Sequence, residues 1–215
     1  MLVGRRMTPN PITVTPETSL AEASNRMKSD KVRRFPVVTT QGRLVGIVSK
    51  DDLLHASPSG ISSLSIWEMT YLLSKVKVQD VMTRKVITVA EDTPLEEAAR
   101  IMLENKIGGL PVMRGEALVG IITESDIFRV FTEVLGGTQP GVRLTVLAPN
   151  VKGSLAKISN AIFEQGGWVA AFNIFEGEDT SNWGAHIKVR EMNQEQLLAA
   201  IKPLVLEILD IREIS

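Results

Sequence analysis

GIVSKDD at residues 46–52 returns as GIITESD at residues 120–126. Both stretches fit the pattern Gly-h-h-[Ser/Thr]-x-x-Asp, where h is apolar, and both connect a strand-like run to a helix-like run. A strand-to-helix junction brings free backbone N–H groups and the positive end of a helix to one place, where a phosphate can bind. The duplicated heptapeptide therefore bears on both the fold and the position of a site.

The two heptapeptides belong to a longer repeat. Met7-Thr8 returns as Met82-Thr83, ITV at 12–14 returns as ITV at 87–89, and FPVV at 35–38 returns as LPVM at 110–113. Each copy predicts the order β-α-β-β-α, with apolar residues at helical spacing between the first two strands. Such a unit leaves one sheet face uncovered, so we expect the two copies to pair.

These features predict an α+β chain of two repeats and a third part. We place the repeats at residues 1–60 and 77–135, with a connecting helix at 61–76 between them. In that helix Trp67 and Tyr71 are either core residues or ligand stackers.

The glycines and proline of GGTQPG predict a linker at 136–141. Residues 142–215 follow it. Their pattern predicts a β-α-β-β-α-β, ferredoxin-like domain.

The composition excludes several classes of function. The 24 basic and 25 acidic residues nearly balance, which argues against a nucleic-acid or anionic-membrane partner. The absence of cysteine excludes disulfides and thiolate chemistry and is consistent with the cytoplasm. Apolar runs are strand-length, and the start MLVGRR lacks the apolar segment of a signal peptide.

Catalytic patterns are missing from the sequence. Its two histidines, His55 and His186, have no accompanying ligand pattern, and no phosphate-binding loop or nucleophile elbow occurs. We therefore predict no catalytic residue, no metal and no catalytic cofactor, and a protein that is not an enzyme.

The hydroxyl and carboxylate of each heptapeptide have two interpretations. Ser49 with Asp52, and Thr123 with Asp126, have the spacing of a helix capping box. Alternatively, the hydroxyl donates to a phosphate and the carboxylate accepts the hydroxyls of a ribose, as an acidic residue does in dinucleotide folds. The two roles are compatible, and the recurrence in both copies favours binding.

The matched pieces resemble the cystathionine-β-synthase (CBS) domain, and the tandem pair resembles a Bateman module over roughly residues 1–135. The resemblance implies a pseudo-two-fold pair with two clefts for AMP, ADP, ATP or S-adenosylmethionine as a regulatory ligand. It implies that Ser49 and Thr123 contact phosphate or ribose and that Asp52 and Asp126 hold the ribose hydroxyls.

The resemblance also implies the remaining pocket residues. Thr13 and Thr88 would line the pocket, and the segments before Pro36 and Pro111 would meet the adenine through their backbone. Those segments contain Phe35, Gly109 and Leu110.

The two copies differ before the proline. The first has Arg33-Arg34 where the second has Gly108-Gly109. Arginines near a phosphate would neutralise its charge, whereas the glycines allow close backbone approach but carry no charge. The sequence thus predicts two unequal sites, unless Arg33 and Arg34 are a solvated surface pair.

Residues 142–215 resemble the ACT domain, in which a turn between the first strand and helix commonly contacts an amino acid. Here that turn would be formed by Asn150, Gly153 and Leu155. Asn150 replaces the usual acid and Lys152 the usual proline, so the domain is either an effector site or a dimerisation element. The whole order resembles the bacterial acetoin-utilisation regulator family.

We therefore predict an allosteric regulatory sensor of an adenosine nucleotide. Its partners would be a second copy in a homodimer, an amino acid at the ACT-like domain and a target protein. The alternative is a dimeric scaffold with no physiological nucleotide.

Overall fold

The computed structural model describes residues 1–56 and 75–214. The chain divides into two compact units, Met1–Ile127 and Phe128–Ser215. Apart from its last two residues, the predicted connecting helix lies outside the described residues, as do Trp67 and Tyr71. The predicted linker at 136–141 falls within the second unit and stays a prediction.

The first unit contains the two predicted repeats, and the second of them shows the full β-α-β-β-α order. Its strands are β1 (Thr8–Pro9), β2 (Arg34–Val38), β3 (Leu44–Ser49), β4 (Val89–Ala90), β5 (Gly109–Arg114) and β6 (Ala117–Thr123). Its helices are α1 (Leu20–Ser29), α2 (Lys50–His55), α3 (Val78–Val81), α4 (Leu95–Asn105) and α5 (Glu124–Val134), the last of which ends in the second unit.

The two sheets of the first unit have equivalent hairpins. β2 pairs with β3, and β5 pairs with β6, each antiparallel with a register shift at the same place. Strand β4 lies parallel to β5, whereas the matching stretch of the first repeat is reduced to a single bridge between Val14 and Val37. The predicted α+β class is confirmed for this unit.

The segment that opens each repeat packs against the other repeat. The amide of Leu95 donates to the carbonyl of Met1 at 2.8 Å, and the amide of Leu20 donates to the carbonyl of Val76 at 3.0 Å. These are equivalent bonds in opposite directions. The core of the first repeat accordingly includes Val78 from the segment that opens the second.

The repeated Met-Thr pair anchors this exchange. Thr8 pairs with Ile121 on β6, and Thr83 exchanges two hydrogen bonds with Ile47 on β3. The methionine before each threonine packs over a glycine of the opposite repeat: Met7 over Gly120 and Met82 over Gly46. A Cβ at either glycine would overlap the methionine sulfur, so both heptapeptides begin with glycine for a packing reason.

The threonines before α1 and α4, Thr18 and Thr93, have the spacing of helix caps but do not cap either helix. Ser19, not Thr18, caps α1, and its hydroxyl accepts from the amide of Glu22 at 3.2 Å. Thr93 does not cap α4, because its hydroxyl accepts from the amide of Ala90 at 3.1 Å. Both threonines close the turn before the helix instead, which a local sequence match cannot distinguish from a cap.

The second unit has the predicted β-α-β-β-α-β order. Its elements are β7 (Gly141–Pro149), α6 (Ser154–Glu164), β8 (Trp168–Glu176), β9 (Asn182–Arg190), α7 (Gln194–Ile201) and β10 (Glu207–Ile214), with a 3₁₀ turn at Lys202–Leu204. The strands form one antiparallel sheet in the order β10-β7-β9-β8, the split β-α-β arrangement.

One face of that sheet forms the core with the helices. Alternate residues of β7, including Val142, Leu144 and Val146, pack against Ile158 of α6 and Leu197 of α7. The period of two along each strand places the intervening residues on the opposite face.

Candidate functional site

The two heptapeptides form matching hydrogen-bonded boxes at the ends of β3 and β6. In the first, the amide and hydroxyl of Ser49 both donate to Oδ2 of Asp52 at 2.7 Å. In the second, the amide of Thr123 donates to Oδ2 of Asp126 at 2.9 Å and the hydroxyl at 2.7 Å. The amide of Asp52 also donates to the Ser49 hydroxyl at 3.3 Å, which completes a capping box.

These bonds are those predicted for a helix capping box, and they are compatible with binding of a ligand. In both repeats the box uses one carboxylate oxygen, Oδ2. At Asp52, the second carboxylate oxygen has no hydrogen bond with the described residues and can accept from a ligand hydroxyl. Capping therefore positions both carboxylates, and in the first repeat it leaves acceptor capacity for a ligand.

The start of the preceding strand lies beside each box. Arg34 is the cross-strand partner of Ser49, and Gly109 is the partner of Thr123. One residue earlier, the carbonyl of Arg33 accepts from the amide of Lys50 at 2.8 Å. Each repeat thus brings the segment before its proline against its own hydroxyl residue.

Arg34 connects the first repeat to the second. A Cβ on Gly108 would lie 2.5 Å from Nη2 of Arg34, and one on Gly109 would lie 2.9 Å from Nη1. The guanidinium therefore occupies space that only glycines leave open. Burial lowers the pKa of Arg34, and the Glu124 carboxylate opposes that shift.

The Arg-Arg and Gly-Gly pairs are complementary at equivalent positions. Related positions can meet where two copies pair, and two arginines there would compete for one space and repel each other. Glu124, a non-motif position of the second heptapeptide, supplies nearby negative charge. Sequence reasoning missed Glu124, because nothing local shows that it faces the other repeat.

Arg33 does not share this location. It lines a cavity of about 440 Å³ on the first repeat, together with Lys28, Lys31 and Lys50 above apolar residues such as Leu53. Neighbouring residues of an extended chain point in opposite directions, so the structure separates Arg33 from Arg34.

The side chains before the two prolines belong to the sheets. Phe35 and Leu110 are fully buried, and Pro36 and Pro111 are buried as well. These four side chains are therefore closed to a ligand, and contact of the segments with an adenine through their backbone stays a prediction.

The two predicted threonines precede the strand pairs. Thr13 is half-buried, and its carbonyl accepts from Nη2 of Arg26 at 3.2 Å. Thr88 is exposed next to β4. Their lining of a pocket stays a prediction.

The duplicated unit matches a known family. The model of the CBS domain matches residues 3–59 and 78–133 of this chain. The chain belongs to the CBS-domain family. Its first unit is a CBS pair.

Three solved structures resemble this CBS pair. A Vibrio cholerae protein assigned as the acetoin utilization protein AcuB is 34% identical, with a TM-score of 0.53, over 64% of this chain and 95% of that one. The CBS domain pair of MJ0100, solved with 5′-methylthioadenosine and S-adenosyl-L-methionine, is 31% identical (TM-score 0.52; 65% and 98% covered). CBSX2 from Arabidopsis thaliana, solved with AMP, is 36% identical (TM-score 0.52; 62% and 97% covered).

The predicted effector turn of the second unit forms a separate small cavity. Asn150, Gly153 and Leu155 line about 300 Å³ together with Trp183. Gly153 has a φ of +83°, a conformation that favours glycine. The side-chain amide of Asn150 donates to the carbonyl of Thr180 at 3.0 Å, so its oxygen is the atom left to accept from an amino group.

The described residues carry neither a cluster of metal-ligating side chains nor a membrane-spanning helix. Among residues 1–56 and 75–214, no three His, Cys, Asp or Glu side chains are grouped to hold a metal ion. No helix in that part of the chain is long and apolar enough to cross a membrane.

Proposed function

We propose that the CBS pair is a regulatory sensor that binds AMP, ADP, ATP or S-adenosylmethionine between its two repeats. The observation that carries this proposal is the recurrence of one hydroxyl–carboxylate box at both strand-to-helix junctions. The bound AMP in CBSX2 and the bound adenosine compounds in MJ0100 support the same ligand class.

The residues of each box would contact different parts of the ligand. Ser49 and Thr123 stand at the N-termini of α2 and α5, where phosphates bind well. Asp52 and Asp126 would accept ribose hydroxyls, and the backbone before Pro36 and Pro111 would contact the adenine. Thr13 and Thr88 would line the pocket.

The two sites would be unequal. Arg34 supplies a partly buried cation beside the box of Ser49 and Asp52. At the equivalent positions of the second repeat, Gly108 and Gly109 supply no charge. A guanidinium in such a place makes strong charge-assisted bonds with a phosphate. Arg33, which lines a different cavity, would contribute little to that site.

Replacing Arg34 with glutamine should therefore weaken AMP binding by about tenfold or more, the loss of one hydrogen bond to a charged group. The affinity for adenosine, which has no phosphate, should change much less. Arg33→Gln is the matched control and should bind AMP like the wild type. Titration calorimetry of the three proteins with AMP and adenosine checks this; equal losses for both compounds would contradict a phosphate role for Arg34.

The second unit would act as an ACT-like domain. Its strand order and the cavity at Asn150, Gly153 and Leu155 support that proposal, with an amino acid as the candidate effector. Nucleotide binding would shift the CBS pair between two states of different affinity, and the domain or a target protein would receive the signal. We propose a cytoplasmic homodimer that is not an enzyme.

Melting temperature separates the sensor from a scaffold. A ligand that binds only the folded protein raises the melting temperature, and the rise grows with the logarithm of the ligand concentration relative to Kd. We expect at least one adenosine compound at millimolar concentration to do so. An unchanged melting temperature with all four, together with a stable dimer, would favour the scaffold, and product formation on long incubation would indicate an enzyme.

A further inference from the structure

The face of the second unit's sheet that lies away from its helices places two cations directly opposite each other. Arg143 on β7 pairs in register with Lys188 on β9, and the next pair on that face is Thr145 with His186. Like charges directly across two strands destabilise a sheet. The pairing therefore calls for an explanation other than stability.

Lys188 is almost fully enclosed, and its charge has no partner among the described residues. The residue is 2% exposed, and its ammonium group has no hydrogen bond or ion pair with any residue in 1–56 or 75–214. Arg143 is bonded to Asp210, which is also bonded to Arg212. Burial, followed by the charge of Arg143, lowers the pKa of Lys188.

His186 does not add a negative partner. Burial is the main cause that lowers its pKa, with Arg143 and Lys188 acting in the same direction, and a hydrogen bond to the backbone of Leu135 and the charge of Asp210 acting against them. The imidazole is therefore neutral at pH 7, and its Nδ1 lies 3.5 Å from the hydroxyl of Thr145. The net charge beside Lys188 stays positive.

A cavity of about 470 Å³ lies over these side chains. Arg143, Thr145, His186 and Lys188 line it on the polar side, and Leu135 and Phe175 line it on the apolar side. Its volume is in the range of small-molecule sites, which combine an apolar wall with a few convergent polar groups. None of its lining residues belongs to the cavity at Asn150, so the two are distinct.

We propose that this cavity binds a small organic carboxylate, whose carboxyl group lies between Arg143 and Lys188 and whose apolar part contacts Phe175 and Leu135. A monoanion compensates the charge of Lys188, and the apolar wall suits a hydrocarbon or aromatic group. This site is independent of the proposed nucleotide clefts.

The test uses the full chain with benzoate and 3-phenylpropionate, followed by titration calorimetry. Benzamide is the neutral counterpart of benzoate, and inorganic phosphate is the anion without an apolar part. We expect both carboxylates to bind the wild type, benzamide and phosphate to bind at least tenfold more weakly, and Lys188→Met to lose at least tenfold in carboxylate affinity. Lys157→Met, at an exposed lysine of α6, is the matched control and should bind normally.

The melting temperature distinguishes a ligand-binding role of Lys188 from a structural role. If the cation serves a ligand, Lys188→Met should melt at a higher temperature than the ligand-free wild type, because it removes an enclosed charge that has no partner. If the cation is structural, the variant should melt at a lower temperature. Independently, amide NMR shifts of the wild type with benzoate should concentrate at residues 135–137, 143–145 and 186–188. Failure of both carboxylates to bind, equal binding by Lys188→Met, tighter binding of phosphate, or shifts confined to other residues would each overturn the proposal.

Discussion

Replacing Gly46 with alanine is expected to lower the free energy of unfolding of the CBS pair by about 1–3 kcal/mol, the usual cost of overpacking a core. The new Cβ would overlap Sδ of Met82 and lie 3.0 Å from its Cγ. Gly120→Ala should have a similar effect through Met7. Urea denaturation of the full chain measures both changes.

A double-mutant cycle ties this cost to the exchange of opening segments. Met82→Ala makes room for the Cβ at position 46, so the double variant should be more stable than the sum of the two single changes implies, by about 0.5–3 kcal/mol. Gly46→Ala combined with Met7→Ala is the matched control and should be additive, because Met7 packs over Gly120 instead. Coupling of Gly46 to Met7 rather than to Met82 would show that each methionine covers its own repeat.

Asp52→Asn and Asp126→Asn should separate ligand binding from helix capping. An asparagine oxygen can still accept from the amide and hydroxyl that Oδ2 accepts from now. The amide then has no second oxygen for a ribose hydroxyl. We expect each asparagine variant to retain nearly wild-type stability but to bind AMP at its own cleft about tenfold or more weakly.

The alanine variants at the same positions should lose both functions. Removal of the cap costs about 0.5–2 kcal/mol of stability, and the ribose acceptor disappears with it. Thermal unfolding and AMP titration of all four variants check this pattern. If the asparagine variants bind AMP as the wild type does, the carboxylates are caps only.

The local structure of the CBS pair could be predicted from the sequence. Two copies of one pattern adopt closely similar local structures, and the repeated FPVV and LPVM stretches form β2 and β5, each paired with the strand that leads into its heptapeptide. The exchange of opening segments could not be predicted, since a Met-Thr pair carries no sign of which repeat it packs against. That choice depends on contacts distant in sequence.

For the candidate sites too, the residue types could be read from the sequence, whereas their contacts could not. The sequence marked the contrast between Arg33-Arg34 and Gly108-Gly109, but only the fold shows that Arg34 alone crosses to the second repeat. Likewise, Arg143 and Lys188 each fit the polar face of an amphipathic strand. Their opposition becomes visible only once the register of β7 and β9 is known.

Titration calorimetry with AMP, ADP, ATP and S-adenosylmethionine tests the central claim most directly. We predict that at least one of them binds the wild-type protein and that the Asp52→Ala, Asp126→Ala double variant binds none, provided that the variant still unfolds cooperatively. The absence of binding to the wild type by all four ligands at millimolar concentration would contradict an adenosine-sensing function.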